Sequence, residues 1–173
     1  MDARVQVEGD AFLPSFSEGD NSMVVATDSM KTFVHHHMGE YDGATLEGFL
    51  EFAGTALLEQ YDQMESATLS ATEIPFEQRP VPKGDGFEAS ELVFAVSDKE
   101  PAYGELVVDS GTDGPVLKEQ QSGVTDIELV KVKDNSFTDF VQDEYTTLPE
   151  RENRTLYVAM DIFWTYADAE DAL

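Results

Sequence analysis

A hydroxyl and a carboxylate stand side by side at Thr27 and Asp28, inside the segment 20–31. The residues before them are typical of an extended segment, and those after them have the spacing of an amphipathic helix. A Thr-Asp pair in front of a helix is most often an N-terminal cap, in which a side-chain oxygen accepts a backbone N–H. The flanking Ser29 and Lys31 make this segment less ordinary than a cap alone. Two interpretations therefore stay open, a helix cap and a pair of site residues.

A second unusual block lies far downstream and contains Phe137, residues 143–148 and Arg154. Phe137 alone would most often be a core aromatic, and Arg154 alone a surface ion-pair partner. Asp143 and Glu144 are adjacent carboxylates of the kind used in acid–base catalysis, but acids in a solvated loop are the more common explanation. Each residue has a structural explanation of its own, so only the combination suggests a site.

Three consecutive histidines, His35, His36 and His37, suggest a metal site at first sight. Consecutive residues on a helix point about 100° apart, so these three imidazoles cannot converge on one ion. The chain has no cysteine, which excludes disulfides and thiolate metal sites. It also has no phosphate-binding loop, nucleophile elbow or zinc-ligand spacing. The sequence predicts no metal.

The charge balance is strongly acidic, with 36 acidic residues against 10 basic ones and a formal net charge of -26 over 173 residues. The acids are dispersed, and 41% of the residues are hydrophobic, which favours a folded protein with an acidic surface over a disordered chain. We interpret this surface as halophilic, because salt screens the self-repulsion. Nucleic acids and anionic membranes would be repelled. With no signal-peptide pattern and no apolar run of about 20 residues, a cytoplasmic location is expected.

The elements that must position these residues alternate between two periodicities. Residues 4–16 look extended, Asn21 or Ser22 could cap a helix that ends near Met38, and a second helix is predicted over 44–61. Period-two patterns then predict strands, and the last of them, from Leu156 to Tyr166, has one wholly apolar face. Other strands are predicted at 67–74, 91–96, 104–108 and 126–133, with a turn-rich connection at 80–86. This order predicts an α+β chain with helices on one face of an antiparallel sheet.

The two blocks, in this order, resemble urate oxidase (uricase), a cofactor-independent enzyme family that oxidises urate with molecular oxygen. The likeness extends to residues 9–16, 47–50 and 73–76. It implies the tunnelling fold (T-fold), in which two tandem domains each have a four-stranded antiparallel sheet with a helix pair on one face. On that template, residues 1–118 are a first T-fold domain without its opening strand, and residues 119–173 are the opening hairpin of a second domain.

The resemblance also implies roles for four residues. Thr27 matches the catalytic threonine, which relays protons and helps position water and oxygen, and Asp28 matches a residue that meets the substrate at a subunit boundary. Phe137 matches the phenylalanine on which the purine stacks, and Arg154 matches the arginine whose guanidinium binds anionic urate in a bidentate manner. A planar, permanently charged fork and an aromatic face suit such a flat anion. The family needs no cofactor and assembles as a homo-tetramer, so Thr27 and Asp28 are expected to meet Phe137 and Arg154 only across a subunit interface.

The same resemblance assigns a catalytic lysine to a strand before Met1, and a glutamine, an asparagine and a histidine to segments after Leu173. We therefore expect a fragment, or one piece of a split enzyme, that needs those segments for activity. The alternative is a non-catalytic T-fold remnant that binds planar heterocycles or associates with itself. Other purine- and pterin-handling T-fold enzymes are a weaker option, since their zinc or glutamate sites have no counterpart here. In-frame continuation of the pattern in the flanking DNA would favour the enzyme.

Overall fold

The computed structural model describes residues 1–167 and has the α+β architecture that the sequence predicts. Within this range, five antiparallel strands form one sheet in the order β1-β2-β5-β6-β7, and β3 and β4 form a separate hairpin. The strands are β1 Asp2–Glu8, β2 Ser66–Thr72, β3 Phe76–Lys83, β4 Gly86–Val96, β5 Ala102–Gly111, β6 Gly114–Lys131 and β7 Leu156–Trp164. The α-helices of the same range are α1 Leu13–Ser17, α2 Thr27–Glu40 and α3 Leu46–Gln60.

Helix α3 covers the centre of the sheet, over β2, β5 and β6. Thr45 caps it by accepting the N–H of Gly48 at 3.2 Å, and its apolar stripe faces the strands. Each fully buried aliphatic side chain in such a core stabilises the fold by about 1.5–3 kcal/mol. The second predicted helix is confirmed. The buried apolar residues are Phe49, Leu50, Ala53, Leu57, Leu58, Met64, Ala67, Leu69, Ala71, Leu106 and Val108.

Helix α2 packs beside α3 and contributes only partly buried residues to the core, namely Met30, Phe33 and Val34. It begins at Thr27, not at the predicted Asn21 or Ser22. The reason is local: a turn forms first, in which the Asp20 carboxylate accepts the N–H of Ser22 at 2.9 Å.

Strand β6 is 18 residues long and joins two parts of the sheet. Its first part pairs with β5, and its second part pairs with β7. A bulge between Val124 and Ile127, where Asp126 has φ 56°, separates the two parts. Strand β6 continues through 118 and 119, with a shift in its register with β5 at Lys118, and the domain boundary placed there stays a prediction. The final predicted strand is confirmed as β7, although Tyr166 lies beyond its end.

Two further sequence expectations about local structure were wrong. After β1, the chain forms a 3-10 turn at Asp10–Phe12 and then α1, so residues 4–16 are extended only up to Glu8. The predicted connection at 80–86 lies mostly within β3, which ends at Lys83 before a tight turn into β4. Proline is tolerated there because both strands of a two-stranded sheet are edges, and Pro80 sits at a register shift.

Candidate active site

Thr27 and Asp28 form the first turn of α2 and are both exposed. The residue before the helix is Ala26, and the helix start has no side-chain cap. Within residues 1–167, neither the Thr27 hydroxyl nor the Asp28 carboxylate makes a hydrogen bond or an ion pair. The capping interpretation therefore does not account for them, and both groups are free to meet another molecule.

Thr27 lies at the edge of a cavity of about 420 Å³ between α2 and β1. Thr27, Lys31 and His35 follow one another at four-residue spacing along the helix, so they share one side of it. Their neighbours are mostly apolar. The remaining lining residues are Met1, Asp2, Ala3, Val5, Met30, Val34 and Met38.

Strand β1 is the free edge of the sheet beside this cavity, because β2 is its only strand partner within residues 1–167. An unpaired edge carries a row of backbone donors and acceptors that can pair with an added strand. The cavity and the edge thus form one open surface next to Thr27.

Phe137 and Arg154 meet in the loop between β6 and β7. The backbone of Phe137 pairs with that of Arg151, with N···O distances of 2.8 and 3.0 Å, and the N–H of Arg154 donates to the carbonyl of Asn135 at 3.1 Å. These bonds hold the Arg154 guanidinium 5.3 Å from the centroid of the Phe137 ring, in cation–π geometry. The Phe137 side chain remains 39% exposed. A guanidinium group and a partly exposed aromatic side chain therefore adjoin one another.

Arg154 has no carboxylate partner among residues 1–167. Four of the ten basic residues of the chain lie in and beside this loop, but six acidic residues lie there too, so the segment is not basic overall. Attraction for an anion must therefore come from Arg154 itself. The four basic residues are Lys131, Lys133, Arg151 and Arg154.

Sequence reasoning missed two neighbours of this pair. Phe140 stacks on Phe137 with ring centroids 4.6 Å apart and planes at 15°. Asn135 is partly buried, and its Nδ2 has no hydrogen-bond partner in residues 1–167. Both lie within three residues of Phe137, so the only signal available was proximity in the chain.

The adjacent acids Asp143 and Glu144 behave as ordinary loop residues. The Asp143 carboxylate accepts the N–H of Tyr145 at 2.9 Å and the hydroxyl of Thr146 at 3.0 Å, which closes a turn. The histidines also have local roles, because His37 stacks on Phe33 at 3.9 Å and His36 pairs with Glu40 at 3.2 Å.

No group of three or more histidine and carboxylate side chains in residues 1–167 could hold a metal ion. None of the helices in the described part of the chain is long and apolar enough to cross a membrane.

The two pairs of predicted site residues do not meet in one chain. No hydrogen bond or ion pair within residues 1–167 joins Thr27 or Asp28 to Phe137 or Arg154. Thr27 lies beside β1, and Arg154 precedes β7, at the opposite edge of the sheet. Four strand spacings separate those edges, which is about 19 Å. The roles of the four residues remain predictions.

Comparison with known proteins points to uricases. A family profile described as Uricase matches residues 120–172, which include the loop with Phe137 and Arg154. The uricase of Halalkalicoccus jeotgali is 64% identical over 173 residues, covering 100% of this chain and 56% of that protein. The uricase of Haloferax volcanii is 63% identical over 175 residues, covering 100% and 57%. Over its whole length, the chain is similar to uricases.

Solved uricase structures agree with the fold. Urate oxidase from Bacillus sp. TB-90 superimposes with a TM-score of 0.92 at 46% identity, covering 98% of this chain and 56% of that one. A uricase from Bacillus fastidious gives 0.92 at 43% identity, covering 98% and 54%. The fold is therefore the tunnelling fold of uricases. The chain spans a little over half the length of the haloarchaeal uricases, so the activity of a whole uricase is a separate question.

Proposed function

We propose that this chain carries part of a urate oxidase site, which oxidises urate with O₂ and water to 5-hydroxyisourate and hydrogen peroxide. The observation that carries the proposal is the Arg154 guanidinium held 5.3 Å from the centroid of the Phe137 ring, without a competing carboxylate among residues 1–167. A flat organic anion needs a broad apolar contact and a fixed positive fork, and these two side chains supply both.

The proposed chemistry divides between the two pairs of residues. Arg154 binds the urate anion in a bidentate manner, and its charge favours the deprotonated form, from which electrons pass more readily to oxygen. Phe137 stacks on the purine. The free hydroxyl of Thr27 relays protons, and Asp28 binds the substrate beside it. No metal or organic cofactor takes part in this scheme.

The site is proposed to form between subunits of a homo-oligomer, since the two pairs do not meet within one chain. The accessible surface supports association. A compact monomer of 19.1 kDa is expected to expose about 8,400 Å², whereas this chain exposes 12304 Å². The excess is as large as the surface buried in many obligate interfaces. It includes strongly exposed residues such as Leu92, Phe87 and Tyr157.

The proposal assigns a lysine, a glutamine, an asparagine and a histidine to parts of a uricase outside this sequence. Residues 1–173 alone are therefore expected to show little or no urate oxidation, and a salt-rich cytoplasm is the proposed setting. Peroxide production at an ordinary enzymatic rate by this chain alone would overturn that assignment.

Urate binding without turnover gives the direct test. Equilibrium dialysis in molar salt should detect urate bound to residues 1–173, and Arg154→Gln should weaken that binding about tenfold or more, because a charge-assisted pair contributes about 1.5–3 kcal/mol. Arg151→Gln is the matched control, since Arg151 has the same charge and lies in the same loop. Equal affinity of the two variants for urate would show that Arg154 does not bind it. Undetectable urate binding by the parent chain would favour the alternative, a self-associating T-fold remnant.

A further inference from the structure

Three polar side chains form a hydrogen-bonded network between α3 and β6. The Ser122 hydroxyl donates to Glu47 Oε1 at 2.6 Å and accepts from Gln120 Nε2 at 2.8 Å. Ser122 is 1% exposed and Gln120 8% exposed, and Gln120 Oε1 finds no partner within residues 1–167. Buried polar groups are costly unless they are paired, so a partly satisfied network in a helix–sheet interface points to a role other than stability.

The sequence of β6 explains why such a network is useful. Residues 118–123 read Lys-Glu-Gln-Gln-Ser-Gly and contain no apolar side chain. Alternation of apolar and polar residues normally specifies which face of a strand turns towards the core, and a slip of one residue exchanges the faces. This stretch has no such alternation. The Glu47 carboxylate on α3 accepts the hydrogen bond of the Ser122 hydroxyl, and this bond specifies that Ser122 faces the helix.

Gly123, on the opposite face of β6, favours the same orientation of the strand. A Cβ on Gly123 would lie 2.5 Å from the Phe163 ring, so only glycine fits beneath that ring. Phe163 in turn packs edge-on against Tyr103, with centroids 5.3 Å apart. A one-residue slip in either direction would push a larger side chain under Phe163, and in one direction it would leave Glu47 facing Gly123.

The network also lies where β6 changes partners. Ser122 pairs in register with Gly104 of β5 on one side and Trp164 of β7 on the other. The bulge follows within two to five residues, and beyond it the hairpin leads to the loop with Phe137. Any change in the face of β6 here would be carried into that loop.

We propose that Glu47 is a positioning residue, which fixes the face and register of β6 through Ser122 and Gln120 and thereby sets the direction in which the β6–β7 hairpin leaves the sheet. Its consequence for Phe137 and Arg154 rests on the proposed function, whereas its effect on β6 does not. The side chain acts through hydrogen bonding to Ser122 and does not contact the Phe137–Arg154 pair.

Trp164 is the one tryptophan of the chain and pairs with Ser122, so its fluorescence reports on this junction. We expect Ser122→Ala to shift the Trp164 emission to the red and to lower hydrogen-exchange protection of the β6–β7 amides about tenfold, because the buried Gln120 and the half-buried Glu47 each lose a hydrogen bond. Glu47→Leu should do the same. Glu47→Gln keeps an acceptor oxygen and should resemble the parent chain.

Glu59→Gln is the control, since Glu59 is exposed on the same helix. Parent-like emission and protection in a folded Ser122→Ala variant would overturn the proposal. If Ser122→Ala does not fold, the comparison of Glu47→Gln with Glu47→Leu decides: equal perturbation by both overturns it, and perturbation by leucine alone supports it. Urate appears in none of these measurements, so a failure here is distinguishable from a failure of the proposed function.

Discussion

The centre of the sheet and the β6–β7 hairpin are both built from strands with apolar residues in alternation, yet they differ in burial. Leu106 and Val108 of β5 are each 1% exposed beneath α3, whereas Leu129 of β6 and Ile162 of β7 are 51% and 47% exposed. The strand pattern is similar, and only the covering helix differs. Burial is therefore set by what packs on a strand as much as by the strand itself.

This difference also separates the two pairs of candidate site residues. Thr27 and Asp28 begin a helix that packs against the covered core, so their positions are held by apolar contacts. Phe137 and Arg154 lie in the loop of the uncovered hairpin and are held by backbone hydrogen bonds and by their contact with each other. The first pair is fixed by the core, and the second depends on how the hairpin is positioned.

The largest expected effect is that of salt. With a net charge of -26, the fold should require high salt, because the screening length falls from about 10 Å at 0.1 M to about 3 Å at 1 M. Circular dichroism across a salt series reports mainly on the helices, and Trp164 fluorescence reports on the hairpin. We expect the Trp164 signal to change at a higher salt concentration than the helical signal does. A cooperative fold that is unchanged from low to high salt would contradict the halophilic interpretation.

Truncation of a leucine should distinguish the two regions directly. Leu57 is 1% exposed in α3, so Leu57→Ala should lower the free energy of unfolding by about 2–5 kcal/mol. Leu129→Ala removes the same atoms from a half-exposed position and should cost the isolated chain less than about 1 kcal/mol. Denaturant titration in molar salt measures both. Similar losses would show that another copy covers the hairpin, and sedimentation of the Leu129→Ala variant would then identify the interface.

The smallest expected effect concerns Tyr103 of β5, which joins the two regions because it packs against Phe163 of β7. Burial, followed by the hydrogen bond to Glu105, raises the pKa of Tyr103 above its ordinary value. The neutral phenol is thus favoured in the folded state. Its contribution to stability is complete below the unfolded pKa near 10 and is lost as the pH rises through the raised value.

Unfolding of Tyr103→Phe should accordingly depend less on pH above about 10 than unfolding of the parent chain. Tyr157→Phe is the matched control, because Tyr157 is 80% exposed on β7. An identical decline in stability for Tyr103→Phe and the parent chain would show that the Tyr103 phenol is not linked to folding.

Local sequence was enough to predict α3, β7 and the α+β class. The spacing of Phe49, Leu50, Ala53 and Leu57 predicts one helical face, and the alternation after Leu156 predicts one strand, because both signals lie within a few neighbouring residues. The start of α2 was misplaced because the turn at Asp20 competes with a cap, and both use the same side-chain types.

The sequence by itself supplied the candidate site residues and the resemblance to uricases, since Thr27, Asp28, Phe137 and Arg154 stand in recognisable segments. Tertiary structure alone decided that Phe137 and Arg154 adjoin while Thr27 lies near the other edge, that Phe140 and Asn135 are neighbours of the pair, and which face of β6 turns inward. The separation of the two pairs follows from the order of the strands in the sheet, and the inward face of β6 depends on a contact between residues far apart in the chain, Glu47 with Ser122. No local pattern of charge or hydrophobicity encodes either of them.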